Sequence, residues 1–190
     1  MGYIHILIHR KGNNMILTGN KILKEVKKQR ITIEPFHKEQ INPNSYDFRL
    51  GNILKVYKNK VLDPKIKQEV EEIPIPENGI VLLPDRIYLG HTVETMGSPK
   101  YVPIIRAKSS VARMGIFVHV TADLIDIGSI NQWTLQIHAV QPVKVFANML
   151  IGQVTFWAVK GKINLYQGKY QGSKGAMESQ IYRDFQSQRE

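Results

Sequence analysis

The chain has 190 residues, enough for one domain with a buried core and too few for two of ordinary size. Its 43% apolar content and lack of low-complexity tracts exclude a disordered chain, and the absence of cysteine excludes disulfides, thiolate metal sites and cysteine nucleophiles. Twenty-six Lys and Arg against sixteen Asp and Glu leave a net charge of +10, which favours an anionic partner, polyphosphate or nucleic acid, without choosing between them.

Residues 1–14 read as an extension ahead of a unit spanning 15–190, with an added strand through Ile4, Ile6 and Ile8 as the alternative. The unit opens on a helix over 18–29, capped by Thr18, with Ile22, Leu23 and Val26 as its apolar stripe. The surrounding Lys21, Lys24, Lys27, Lys28 and Arg30 read as its solvated face. The period then changes to short runs broken by Gly, Pro and Asn: Ile31–Ile33, Tyr46–Leu50, Ile80–Leu83, Ile87–Thr92, Val102–Ile105, Trp133–His138, Val143–Phe146 and Ile151–Ala158. Many short strands predict a mainly β fold, a barrel or jelly-roll-like sandwich, with a second helical turn at 109–114. Lys65–Glu77 reads as a surface excursion. The longest apolar run, Met149–Val159, is shorter than the roughly 20 residues of a membrane helix, so the expectation is a soluble, cytoplasmic protein. The six histidines show no metal spacing; His5 and His9 would share a face only if the extension were helical. No Walker A loop is present, because Gly168–Gly175 lacks the Gly-Lys-Ser/Thr ending.

Three segments carry chemistry. Lys108-Ser109-Ser110 with Arg113 puts two hydroxyls, their backbone N–H groups and two cations within one turn, a set suited to phosphate and equally to an ordinary helix start. Asp126, just before Gly128, is placed at the tip of a hairpin leading into Trp133-Thr134-Leu135, where turn chemistry alone is the simpler reading. The tail from Tyr166 carries Lys169-Tyr-Gln-Gly-Ser-Lys-Gly175 without periodicity.

Together these segments resemble the dCTP deaminases of the trimeric dUTPase superfamily. Lys108, Ser109, Ser110, Arg113 and Gly115 match that family's phosphate motif. Ala122, Ile125, Asp126 and Gly128 match its sugar motif, with Ile127 in place of the usual proline. Asn42-Pro-Asn-Ser-Tyr-Asp47 with Leu50-Gly51, and Gly152-Gln153, match structural signatures. The resemblance implies a distorted β-barrel of the dUTPase fold, a homotrimer, and dCTP, dUTP or dTTP as ligand, with Mg²⁺ carried on the triphosphate and no protein-bound zinc. It implies that Ser109, Arg113 and the Ala122 carbonyl place water and base, that Lys108, Ser110 and Lys169 hold phosphates, that Asp126 reads the sugar, and that Tyr166 and the tail 166–190 close over the nucleotide. Trp133, Thr134 and Ser173 fall at ligand-facing positions, Ser173 where the family has glutamine.

The chain departs from the family at one chemically decisive position: Gln136 stands where the family has glutamate. Metal-free deamination needs a group that takes a proton from water and returns one to the ring or to ammonia, and an amide cannot do so near neutral pH. Losing such help costs about 10²–10⁴-fold in rate. Four functions therefore stand: hydrolytic deamination of dCTP to dUTP and ammonia; dNTP binding without deamination, as a regulator or a subunit of a mixed trimer; dUTP diphosphatase-type hydrolysis; and nucleic-acid binding, for which net charge alone speaks.

Overall fold

From Trp133 to Ala139 every second side chain is apolar and buried while its neighbours are half-exposed, and with the buried Asn131 ahead of them this stretch forms the central strand of the molecule. The computed structural model describes residues 15–186. Its elements are α1 (Gly19–Lys27), β1 (Thr32–Glu34), β2 (Tyr46–Arg49), β3 (Ile53–Tyr57), β4 (Val70–Pro74), β5 (Ile80–Leu82), β6 (Tyr88–Gly97), β7 (Tyr101–Ala107), α2 (Ser109–Ala112), β8 (Ile116–Phe117), β9 (Asn131–Ala139), β10 (Val143–Val145), β11 (Leu150–Ala158) and α3 (Tyr182–Gln186). The extension with Ile4, Ile6 and Ile8, and with His5 and His9, lies outside the described residues.

The protein is mainly β, as its short alternating runs predict. All strand pairings are antiparallel. One sheet runs β4-β3-β6-β9-β8 with β1 also on β6, a second is β2-β11-β7, and a third is β10-β5; none closes on itself. Between them lies one apolar core in which Tyr46, Phe48, Leu54, Ile105, Leu135 and Phe156 are fully buried. Gly152 serves this packing as expected: a Cβ there would lie 2.2 Å from the Phe48 ring.

Several expectations are corrected. Thr18 stands at the N-cap of α1 with extended backbone, but its hydroxyl makes no capping bond; its carbonyl accepts the N–H groups of Lys21 and Ile22 instead. The basic face of α1 is not wholly solvated, because Glu25 is fully buried and draws Arg30 and Lys21 to its carboxylate. Arg30 holds the Glu25 carboxyl down at about 2. The excursion 65–77 contains β4, an exposed edge strand whose charged Glu71 and Glu72 disguise it. Asp126 does not cap a hairpin. Residues 118–130 run irregularly, touching β7 through an isolated bridge between Leu124 and Ile104, and Asp126 sits in the turn closed by the Ser129 N–H to its carbonyl.

Strand β6 extends to Gly97 because it absorbs an irregularity. Its residues His91 and Thr95 pair with Thr134 and Gln132 of β9, so Thr92, Val93 and Glu94 face the single residue Trp133. The displaced groups find specific partners. Thr92 Oγ1 accepts the Trp133 N–H at 3.0 Å, and the buried Glu94 carboxylate takes Arg49 Nε at 2.7 Å.

Candidate active site

The polar side of β9 is roofed by the C-terminal segment. Tyr166 N–H bonds the Ile127 carbonyl, and the N–H groups of Gly172, Gly175, Met177 and Ser179 reach side-chain oxygens of Asn131, Gln132, Thr134 and Tyr57. Gly168 allows the turn beneath this roof, since a Cβ there would stand 2.4 Å from the Tyr166 phenol. Between roof and strand lies a cavity of about 430 Å³.

Ala122, Asp126, Trp133, Thr134, Gln136, Tyr166 and Ser173, all chosen from sequence, line this cavity together. The Asp126 carboxylate is exposed and has no partner among the described residues. Gln136 donates Nε2–H to the Thr134 carbonyl at 3.1 Å, while its Oε1 is shut from solvent without a donor among the described residues. Trp133 belongs to the core-facing side of β9 and is 3% exposed; its indole N–H has no partner among the described residues.

Lys108, Ser109, Ser110, Arg113 and Lys169 are not on the cavity wall of the single chain. Lys108, at the N-cap of α2, sends its ammonium to the buried carboxylate of Asp47, which also accepts Asn42 Nδ2 at 2.8 Å. Arg113 Nη1 donates to Ser109 Oγ at 2.9 Å, and Ser109 and Ser110 are exposed at the start of α2. Lys169 Nζ is held by both oxygens of Asp184 on α3, at 2.6 and 2.5 Å.

Ile125, part of the sugar motif, lines the cavity too. Tyr57, Leu89, Leu124, Tyr170, Met177 and Ser179 also line it and were missed in the sequence. The alternation Ile53-Leu-Lys-Val-Tyr57 was the available signal for the first of these. Burial pushes the Tyr57 phenol up from its ordinary value, and its oxygen accepts the Ser179 N–H at 2.9 Å. Nothing in the tail marks Met177 or Ser179, which reach the site only through docking. Burial also pushes His119 down, and its Nδ1 is enclosed without a partner among the described residues.

A sheet floor, a polar strand face and a docked C-terminal roof around a cavity of this size define a β domain with one roofed, ligand-sized pocket among the described residues. Within that class the chain belongs to the dCTP deaminase-like family, whose sequence profile matches residues 16–159. It is 47% identical over 173 residues to the dUMP-forming dCTP deaminase of Clostridium botulinum (strain Eklund 17B / Type B), covering 90% of this chain and 99% of that one. It is 42% identical over 173 residues to the dUMP-forming dCTP deaminase of Cytophaga hutchinsonii, again over 90% and 99% of the two chains. Among solved structures, the 2'-deoxycytidine 5'-triphosphate deaminase from Agrobacterium tumefaciens superposes with a TM-score of 0.61 at 21% identity over 76% of this chain. This chain spans about half the length of that one, 48%, and the likeness is one of fold. No helix among the described residues is long and apolar enough to cross a membrane.

Proposed function

We propose that this cavity takes the deoxycytidine end of dCTP and that the family reaction, dCTP + H₂O giving dUTP + NH₃, is the chemistry for which it is shaped. The convergence of Ala122, Asp126, Thr134, Gln136 and Tyr166 on one cavity carries the reading, because these residues come from three separated segments, the run 118–130, β9 and the tail. In this scheme Asp126 accepts a hydrogen bond from the sugar hydroxyl, the Ala122 carbonyl and Ser109 orient water, Tyr166 covers the nucleotide, and Ser173 lines the roof. The names of the relatives favour a second hydrolysis at the same site, dUTP + H₂O giving dUMP and pyrophosphate.

Gln136 sets the rate. Its amide positions the base edge or water but carries no proton, so the deamination step in this chain runs about 10²–10⁴-fold below that of a carboxylate-bearing site while nucleotide binding persists. Mg²⁺ enters on the triphosphate in this proposal, and Asp126 is the one carboxylate on the cavity wall among the described residues. A cytoplasmic location belongs to the same proposal.

Placement of water and base by Ser109 and Arg113, and phosphate binding by Ser110, call for a second copy, because α2 stands off the cavity of its own chain. We place it in a homotrimer, where exposed Met114, Phe117, Val120, Leu124 and Val140 supply the apolar contact beside α2 and the cavity mouth. The test is a chromatographic assay of dCTP with Mg²⁺, following dUTP and dUMP, for the unmodified protein and Gln136→Glu. Nucleotide binding with turnover only in the variant supports the proposal; absence of dCTP binding in both overturns it.

A further inference from the structure

The irregularity in β6 leaves the Val93 carbonyl outside the β6–β9 ladder, and Gln132 collects it: its Nε2–H donates to Val93 O at 3.0 Å. That bond fixes which way the amide faces. With nitrogen committed to the sheet, Oε1 is turned to the roof, where it accepts the Gly175 N–H at 2.8 Å. The backbone of the same residue repeats the link, since Gln132 N–H bonds Ser173 O and its carbonyl receives Ser173 Oγ. Gln132 thus joins the distorted strand to the roof through both side chain and main chain.

The roof has other ties to the body, among them Gln171 Nε2–H to the Gly128 carbonyl at 3.0 Å and an ion pair between Glu178 and Lys55 at 3.6 Å. Gly172 and Gly175 adopt φ of +73° and +70°, so this part of the tail forms turns and pairs with no strand, and its N–H groups depend on side-chain acceptors. Asn131, Thr134 and Tyr57 supply further acceptors along the line. Gln132 is distinguished among them because its orientation is imposed from the sheet and it does not itself line the cavity.

We propose that Gln132 is a positioning residue for the nucleotide site: anchored by the bulge of β6, it holds the C-terminal roof over the cavity. It acts through Gly175 and Ser173 on the flanking Tyr170, Ser173 and Met177, which do line the cavity. This inference rests on the proposed function for its ligand, and on the hydrogen bonds alone for the roof.

The test uses the full chain with Gln132→Leu, which fills similar space without either bond, and Thr134→Val, which removes only the acceptor for Met177 N–H. Backbone hydrogen exchange over 172–179 and the rate of tryptic cleavage at Lys174 are read without nucleotide. The dissociation constant for dCTP is then measured by calorimetry, with the thermal unfolding midpoint alongside. In Gln132→Leu, exchange and cleavage across the roof rise roughly 5- to 10-fold and dCTP binding weakens by a similar factor, the amount one or two hydrogen bonds carry. Exchange over β7 and β11 stays at the level of the unmodified protein. Roof exchange unchanged in both variants overturns the clamp. Faster roof exchange with dCTP affinity unchanged overturns the positioning role while leaving the contact real. If the unmodified protein fails to bind dCTP yet Gln132→Leu frees the roof, the proposed ligand is wrong and the clamp stands.

Discussion

Lys108 and Asp47, sixty-one positions apart in sequence, form an ion pair that ties the first residue before α2 to the buried strand β2. The lysine of the phosphate motif is therefore engaged from behind, and Ser109, Ser110 and Arg113 are presented outward on a helix whose start it anchors. Asp47 is buried, and Asn42 binds its other oxygen. The structural signature around Tyr46 and the phosphate motif are in this way one unit.

Removing one partner of that pair strands the other. Asp47→Ala should lower stability by about 2–4 kcal/mol, read by urea denaturation, because a half-buried ammonium and the Asn42 amide lose their acceptor. Lys108→Met, which keeps the stem but leaves the buried Asp47 carboxylate with Asn42 alone, should lower stability by a similar amount and also weaken triphosphate binding. Equal binding by Lys108→Met and the unmodified protein would show that anchoring α2 has no bearing on phosphate.

Position 136 is built for a neutral donor. Gln136 Nε2–H meets the Thr134 carbonyl and Oε1 is enclosed without a donor among the described residues, so a carboxyl placed there is pushed up from its ordinary value by burial and by that carbonyl. In Gln136→Glu the folded state then holds a proton longer than the unfolded chain. Its added stability is full below the unfolded pKa, near 4.3, and is lost as pH rises through the folded pKa. Thermal melts of the variant and the unmodified protein from pH 4 to 8 should diverge with rising pH, the variant falling behind. Parallel curves would mean that the carboxyl ionises freely there.

Glu25 shows the opposite sign. Its carboxyl is held at about 2 by Arg30, below an ordinary value of 4.5, so its contribution is complete above 4.5 and disappears as pH falls toward 2. Glu25→Gln should destabilise the protein at pH 7 by about 1–3 kcal/mol, the range for charge-assisted hydrogen bonds, and flatten the acid side of the stability curve. An acid limb with unchanged steepness would assign acid sensitivity to other carboxylates.

Helix α1 ends on a left-handed residue that is not glycine. Gln29 has φ of 55°, its N–H bonds Val26 O, and the next N–H, of Arg30, bonds Glu25 O, the pattern of a Schellman turn. Gln29→Gly should raise the stability by about 0.5–1 kcal/mol and the melting midpoint by a few degrees. No change in the midpoint would mean that the unfolded-state entropy of glycine offsets the relieved backbone.

Local order was the legible part of the sequence. The alternation from Trp133 to His138 identified β9, and α1 emerged from Ile22, Leu23 and Val26, because both patterns follow from which neighbours share a face. Strand β4 was hidden by Glu71 and Glu72, since an edge strand has no buried face to write into its pattern. The full length of β6 was hidden by its irregularity, which breaks the period of two at Thr92–Glu94. Motif spacing named several residues on the cavity wall, but it did not show that the Lys108 and Lys169 ammoniums each meet a carboxylate, of Asp47 and of Asp184.

The residue types and their order thus determined by themselves that this chain is mainly β, that it resembles the dCTP deaminases, and that an amide occupies the position where proton transfer is expected. Only the tertiary structure decided which of those residues share a cavity, that Gln136 points one amide edge at a carbonyl and encloses the other, and that the tail rests on β9 through Gln132. Sequence patterns record what each element buries against its immediate surroundings, while the direction of a buried amide or ammonium is set by hydrogen-bond partners brought together from far along the chain.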